Sequence, residues 1–118
     1  MAALERVGLA ERADQIAGTL SYGHQRVLEI AMGLALKPVL LILDEPTQGL
    51  SDGEIATFKE IVRAVVPKTT VLLIEHNMDV VMGLAERITV LNFGKVLATG
   101  TPEAIRADRA VHAAYLGG

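Results

Sequence analysis

Residues Val39 to Asp52 read VLLILDEPTQGLSD. Five apolar residues, Val39 to Leu43, run without a break into two acids, Asp44 and Glu45. A run this short and rich in Leu, Ile and Val suits a strand buried on both faces of a parallel sheet. Pro46 stops regular pairing, because it has no backbone donor. The two carboxylates therefore fall at the C-terminal end of a buried strand, the edge where open α/β sheets bind ligands. Adjacent acids there can divide the work, one holding a metal and the other orienting or activating a water. The plain structural alternative is that they end the strand and cap the next turn.

Working outward, residues 24–36 are good helix formers, apolar on most sides, and Lys37-Pro38 ends them. Arg26 and Glu29, three apart, share a face of that helix. Before it, residues 2–7 and 10–17 read as short helices stopped by Gly8 and Gly18. On the other side, Asp52 can cap a helix reaching Val66, with Ile55, Phe58, Ile61, Val62 and Val65 at helical spacing. Thr69 to Ile74 reads as a second buried strand, again running into polar residues, Glu75, His76 and Asn77. A helix over 78–85 leads to a third strand, 88–91, and a turn at Asn92-Phe93-Gly94 to a hairpin partner, 95–98. Thr101 caps a helix with Pro102 at its first position, and a last helix spans 108–116. Alternating strands and helices make an α/β fold with a mainly parallel sheet and a C-terminal hairpin. The topology then gathers Asp44, Glu45 and His76 on one edge.

The composition narrows the function. The chain has 118 residues, the size of one domain, and its 51% hydrophobic fraction supports a sizeable core although only 3% is aromatic. A formal charge of −3 gives no electrostatic reason to expect nucleic acid. The absence of cysteine excludes disulfides and thiolate-bound metals and fits a reducing compartment. No apolar run reaches the length of a membrane span, and MAALERVGLAER is not a secretory signal. The expectation is a cytoplasmic domain. MAALERVGL reads as the end of a helix, as though it continued something longer.

Three stretches combine: Leu20-Ser21-Tyr22-Gly23-His24-Gln25-Arg26, Leu40 to Thr47, and Leu73-Ile74-Glu75-His76. In order and spacing they resemble the signature loop, Walker B strand and switch-histidine loop of the ABC-transporter ATPases. The resemblance covers essentially the whole chain and implies the C-terminal part of a P-loop ABC ATPase core. Residues 1–37 would be the end of its helical subdomain, with signature loop and helix, and 38–118 the second half of the α/β core. It implies that ATP and Mg²⁺ are bound, with Asp44 holding the metal through water and Glu45 orienting or deprotonating the attacking water. His76 would contact the γ-phosphate and that water. Ser21, Tyr22, Gly23 and His24 would meet nucleotide held mainly by a second ATPase subunit; a helix N-terminus suits an anion, although an ordinary Ser21 cap is the alternative. By itself a histidine after a strand is more often structural.

The sequence departs from the family pattern in places. Tyr22 stands where the signature loop usually has its second glycine, and His24 where it usually has Gln. The Leu-Asp that often ends the next loop is Leu50-Ser51-Asp52, so the aspartate's cross-subunit role is not carried over. No GxxxxGK[ST] stretch is present, so the phosphate-cradling loop and its lysine are missing. The Leu-Ser-Tyr-Gly variant at residues 20–23, Glu45-Pro46-Thr47-Gln48-Gly49-Leu50, Ile74 to Val81 and the ending Ala114 to Gly118 look most like branched-chain amino acid importers and their urea and amide relatives. That implies an ATP-driven importer subunit at the inner face of the membrane, bound to permease subunits and, as this fragment, inactive alone. Two alternatives compete: the ATPase lobe of a DNA-repair or chromosome-maintenance protein, and a non-catalytic regulatory module. The first calls for coiled coil before the signature, which Ala2 to Gly18 lacks. The second sits badly with both Glu45 and His76 being present. A strand expected beside Val39 to Leu43 is missing, which leaves an open edge and exposed apolar surface, so the fragment is expected to form a dimer or higher oligomer, joined partly through the edge near Val39 to Leu43 or through the helix His24 to Leu36.

Overall fold

The computed structural model describes residues 1–115. The chain divides into two compact units, the first Met1–Val80 and the second from Val81 onward.

The first unit is built on a parallel pair of strands, β1 (Leu40–Asp44) and β2 (Thr70–Ile74), in register from Leu40 opposite Thr70 to Asp44 opposite Ile74. Helix α1 (Ala2–Arg6) precedes them, then two 3₁₀ turns, Ala10–Arg12 and Ala17–Thr19, where one helix was expected. Helix α2 (Tyr22–Ala35) starts two residues earlier than its propensity suggests, because the Ser21 hydroxyl accepts from the His24 N–H at 3.2 Å and fixes the first turn. It buries Val27, Ile30, Ala31 and Leu34. A Cβ at Gly33 would come within 2.7 Å of Leu41 Cδ1, so the missing side chain lets α2 close on β1.

Helix α3 (Asp52–Val65) buries Phe58, Ile61, Val62 and Val65 as the spacing required. Its cap is Ser51, not Asp52. Ser51 Oγ accepts from the Glu54 N–H at 3.2 Å, and Glu54 Oε1 accepts from the Ser51 N–H at 3.0 Å, a reciprocal capping box that a carboxylate at position 52 could not form. The expected burial of β1 and β2 on both faces is not found. Leu41 is buried, but Leu40, Ile42, Leu72 and Ile74 are each about half exposed. In this register the four share one face of the pair. Two strands covered by a helix on the Leu41 side leave the opposite face open.

Helix α4 (Met78–Leu84) runs across the division between the units. In the second unit β3 (Ile88–Asn92) joins β4 (Lys95–Gly100) as an antiparallel hairpin and pairs with no other strand among the described residues. Phe93 and Gly94, both at positive φ, make its two-residue turn. Helices α5 (Pro102–Ala107) and α6 (Arg109–Tyr115) follow. Thr101 caps α5 as expected, and Ile88, Val90, Ile105 and Val111 form the core. Leu116, the expected end of the last helix, lies outside the described residues, as do Gly117 and Gly118.

Glu54 also reaches α2. The Gly23 backbone gives its carboxylate a hydrogen bond, and a Cβ on Gly23 would lie 1.7 Å from Glu54 Oε2. The backbone and hydroxyl of Ser51 hold this carboxyl below its ordinary value, helped by Gly23 and the nearby His24 and opposed by partial desolvation. A depressed acid stabilises the fold above its unfolded pKa and loses that contribution as pH falls through the folded value. Glu54→Gln should therefore lower the melting temperature near pH 7, and the gap from the parent should narrow as pH falls through the depressed folded value of Glu54. Thermal melts of both proteins across this range check it; a gap independent of pH would assign the effect to side-chain shape.

Candidate functional site

Both strands of the first unit end at the same edge. Asp44 closes β1 with an exposed carboxylate, and Glu45 leaves the strand at φ +47°, a left-handed conformation unusual for a residue with a side chain. The Glu45 N–H still donates to Ile74 O at 2.7 Å, so the turn begins from a paired position. Arg26 on α2 holds its outer side. Nη2 donates to Glu45 O at 2.8 Å and Nε to Pro46 O at 3.3 Å, while Nη1 pairs with Glu29 at 3.2 Å. One helical turn earlier, the Tyr22 hydroxyl donates to Gln48 O at 3.1 Å, and its ring lies 5.8 Å from the Arg26 guanidinium.

His76 follows β2. Its Nδ1 lies 3.1 Å from Glu45 Oε1, and with the carboxylate ionised the Nδ1–H donates to it. Glu75 faces the other loop. Its Oε2 accepts from Thr47 Oγ1 at 2.6 Å and the Thr47 N–H at 3.3 Å; its Oε1 accepts from the His76 and Asn77 N–H groups at 3.2 and 3.4 Å. Asn77 Oδ1 accepts from the Val80 N–H and starts α4.

The residues singled out in the sequence fall into two groups. Glu45 and His76 touch, and Asp44 adjoins them along the chain. Ser21, Gly23 and His24 lie at the α2 N-terminus, where Glu54 occupies the anion-attracting end. Tyr22 links the groups through Gln48. No cluster of three or more His, Asp or Glu side chains able to hold a metal occurs among the described residues. A lone carboxylate at a strand end suits Mg²⁺, which keeps several waters and takes one or two carboxylates besides phosphate oxygens.

Sequence reasoning missed the roles of four members of this arrangement. Arg26 was legible only as the partner of Glu29. Thr47 and Glu75 carried no spacing signal, since their contact joins residues 28 apart. Glu54 could have been found, because Ser51-x-x-Glu54 before an apolar helix is a capping-box pattern.

The ABC transporter family model matches residues 1–48, and a model described as branched-chain amino acid ATP-binding cassette transporter matches residues 95–118. The high-affinity branched-chain amino acid transport ATP-binding protein LivG of Escherichia coli (strain K12) is 48% identical over 116 residues, covering 97% of this chain and 46% of the relative. BraF of Pseudomonas aeruginosa, which carries the same description, is 47% identical over the same shares. Among solved structures, the ADP conformation of MJ1267, an ATP-binding cassette of an ABC transporter, superposes with a TM-score of 0.86 at 27% identity, over 99% of this chain and 48% of that one. The chain thus spans about half the length of the curated relatives it matches. Nearly end to end, the chain is similar in sequence to these ABC-transporter ATP-binding proteins and in fold to the solved cassette.

Proposed function

We propose that this chain is the C-terminal half of the ATP-binding subunit of an importer for branched-chain amino acids or related amides. In that reading residues 1–37 end the helical subdomain and 38–118 form the second half of the α/β core. The complete subunit hydrolyses ATP as a dimer and works against membrane-embedded permease subunits at the inner face of the membrane. No helix among the described residues is long and apolar enough to cross a membrane. The observation that carries the reading is the Glu45–His76 contact, 3.1 Å, at the C-terminal edge of a parallel strand pair.

Each group has a role its position supports. Asp44 would hold Mg²⁺ through water, and the ion when bound neutralises charge on the phosphate oxygens. Glu45 takes the proton of the attacking water, or orients it, with His76 holding its carboxylate in place. The two side chains are 44% and 69% exposed, so a nucleotide has access to both. The N-terminus of α2 meets the phosphate of nucleotide held mainly by the second subunit. Glu54 supports this, since that helix end already accepts a carboxylate. Phosphate binding at Gly23 displaces Glu54 from it.

Three outcomes follow. In the complete subunit Glu45→Gln and His76→Ala should each lower kcat for ATP by about 10²-fold or more with ATP affinity retained, while Asp44→Asn weakens the Mg²⁺-dependent part of binding. Steady-state turnover and equilibrium ATP binding measure this, and near-normal turnover in Glu45→Gln removes Glu45 as the base. The 118-residue chain alone should show no Mg²⁺-dependent ATP turnover, because its sequence has no phosphate-cradling loop; turnover abolished by Glu45→Gln would contradict this. The same chain should self-associate through the open face at Leu40, Ile42, Leu72 and Ile74, since each ~100 Å² of apolar surface buried contributes about 2.5 kcal/mol. Light scattering over a concentration series checks it, and a monomer throughout would show that the face tolerates water.

A further inference from the structure

His76 must be held against Glu45, yet its own side chain is 69% exposed, so packing does not place it. It sits in an irregular segment between β2 and α4. Its position is set by its backbone, and one carboxylate grips that backbone. Glu75 Oε1 accepts from the N–H groups of His76 and Asn77, and Glu75 Oε2 accepts from the hydroxyl and N–H of Thr47. Thr47 is 5% exposed and lies two residues after Glu45. A single side chain therefore ties the loop that carries Glu45 to the loop that carries His76, next to where the two meet.

We propose that Glu75 and Thr47 are positioning residues for the Glu45–His76 pair, acting through the backbone of both loops and not on the nucleotide. The chemistry of the bridge explains both side chains. An ionised carboxylate is an acceptor at both oxygens and meets four donors. Gln at position 75 would turn an NH₂ donor toward N–H groups. Val at position 47 would keep the shape of Thr and lose the hydroxyl that makes the 2.6 Å bond. Ser would keep the hydroxyl. Hydrogen bonds to an ionised group are the shorter and stronger kind, and loss of placement by a fraction of an ångström is costly for a proton-transfer pair.

The inference rests on the ATPase reading. Its test uses the complete subunit carrying this segment, with kcat and KM for ATP, single-turnover rates and melting temperatures measured for each variant. Thr47→Val and Glu75→Gln should each lower kcat about tenfold with KM within about twofold, and Thr47→Ser should stay within about twofold of the parent. In a His76→Ala background Thr47→Val should cost less than about twofold more, because without the imidazole there is no Glu45–His76 contact left to align. Equal losses in both backgrounds, Ser as impaired as Val, or kcat unchanged in both Thr47→Val and Glu75→Gln would overturn the positioning role. If Thr47→Val melts too low to assay, Glu75→Gln alone in the two backgrounds decides by the same criterion. A parent subunit without Mg²⁺-dependent turnover would overturn the ATPase reading instead.

Discussion

Glu45 leaves its strand in a left-handed conformation, and the fork of Arg26 on the carbonyls of Glu45 and Pro46 holds it there. A residue with a Cβ in that region carries a strain of about 1–3 kcal/mol. Hydrogen bonds to a charged donor contribute about 1.5–3 kcal/mol each when well formed. Arg26 is about one-fifth exposed, which weakens them, and one of the two is long at 3.3 Å. Even after that discount the fork matches the strain. Only Arg can do this, since Lys has no planar pair of donors to span adjacent carbonyls.

Much of the site depends on that constraint. A Glu45 turned back into extended geometry would continue β1, and its side chain would alternate away from its present direction. Held as it is, its carboxylate meets His76, while Thr47 two residues on meets Glu75. Tyr22 fixes the far side of the same turn at Gln48. Tyr22 and Arg26 are four apart on one face of α2, and the N-terminus of that helix carries the residues proposed to meet a partner's nucleotide. The element that would sense phosphate across a dimer and the one that shapes the turn after β1 are thus one rigid helix.

The sequence revealed this edge unevenly, for physical reasons. The apolar run before Asp44 and Glu45 announces a strand, and Pro46 announces its end. Buried periodicity gave α3 its inward face, and Thr101-Pro102 gave α5 its start. Placing Glu45 beside His76 needed the parallel order of β1 and β2, which the alternation of strands and helices supplies. The contacts of Arg26, Thr47 and Glu75 were hidden because they join residues 19 to 28 apart and depend on loop geometry. Leu40, Ile42, Leu72 and Ile74 read as residues of buried strands, and their half exposure fits the expectation that this fragment leaves apolar surface open, because an apolar side chain records what a face can bury and not what is present to cover it. Tyr22, a departure from the usual glycine, became intelligible only with its hydroxyl on Gln48 O.

Hydrogen–deuterium exchange of the complete subunit, read on peptides that cover residues 40–50, measures the hold of α2 on the turn most directly. With Arg26 present the amides of Glu45, Thr47 and Gln48 should be slow to exchange, and Arg26→Ala should speed them by about tenfold or more while the α3 amides stay unchanged. Unchanged exchange at 45–48 in Arg26→Ala would mean that the turn keeps its shape without the fork, and that the left-handed Glu45 is set by the chain after Pro46 and not by α2.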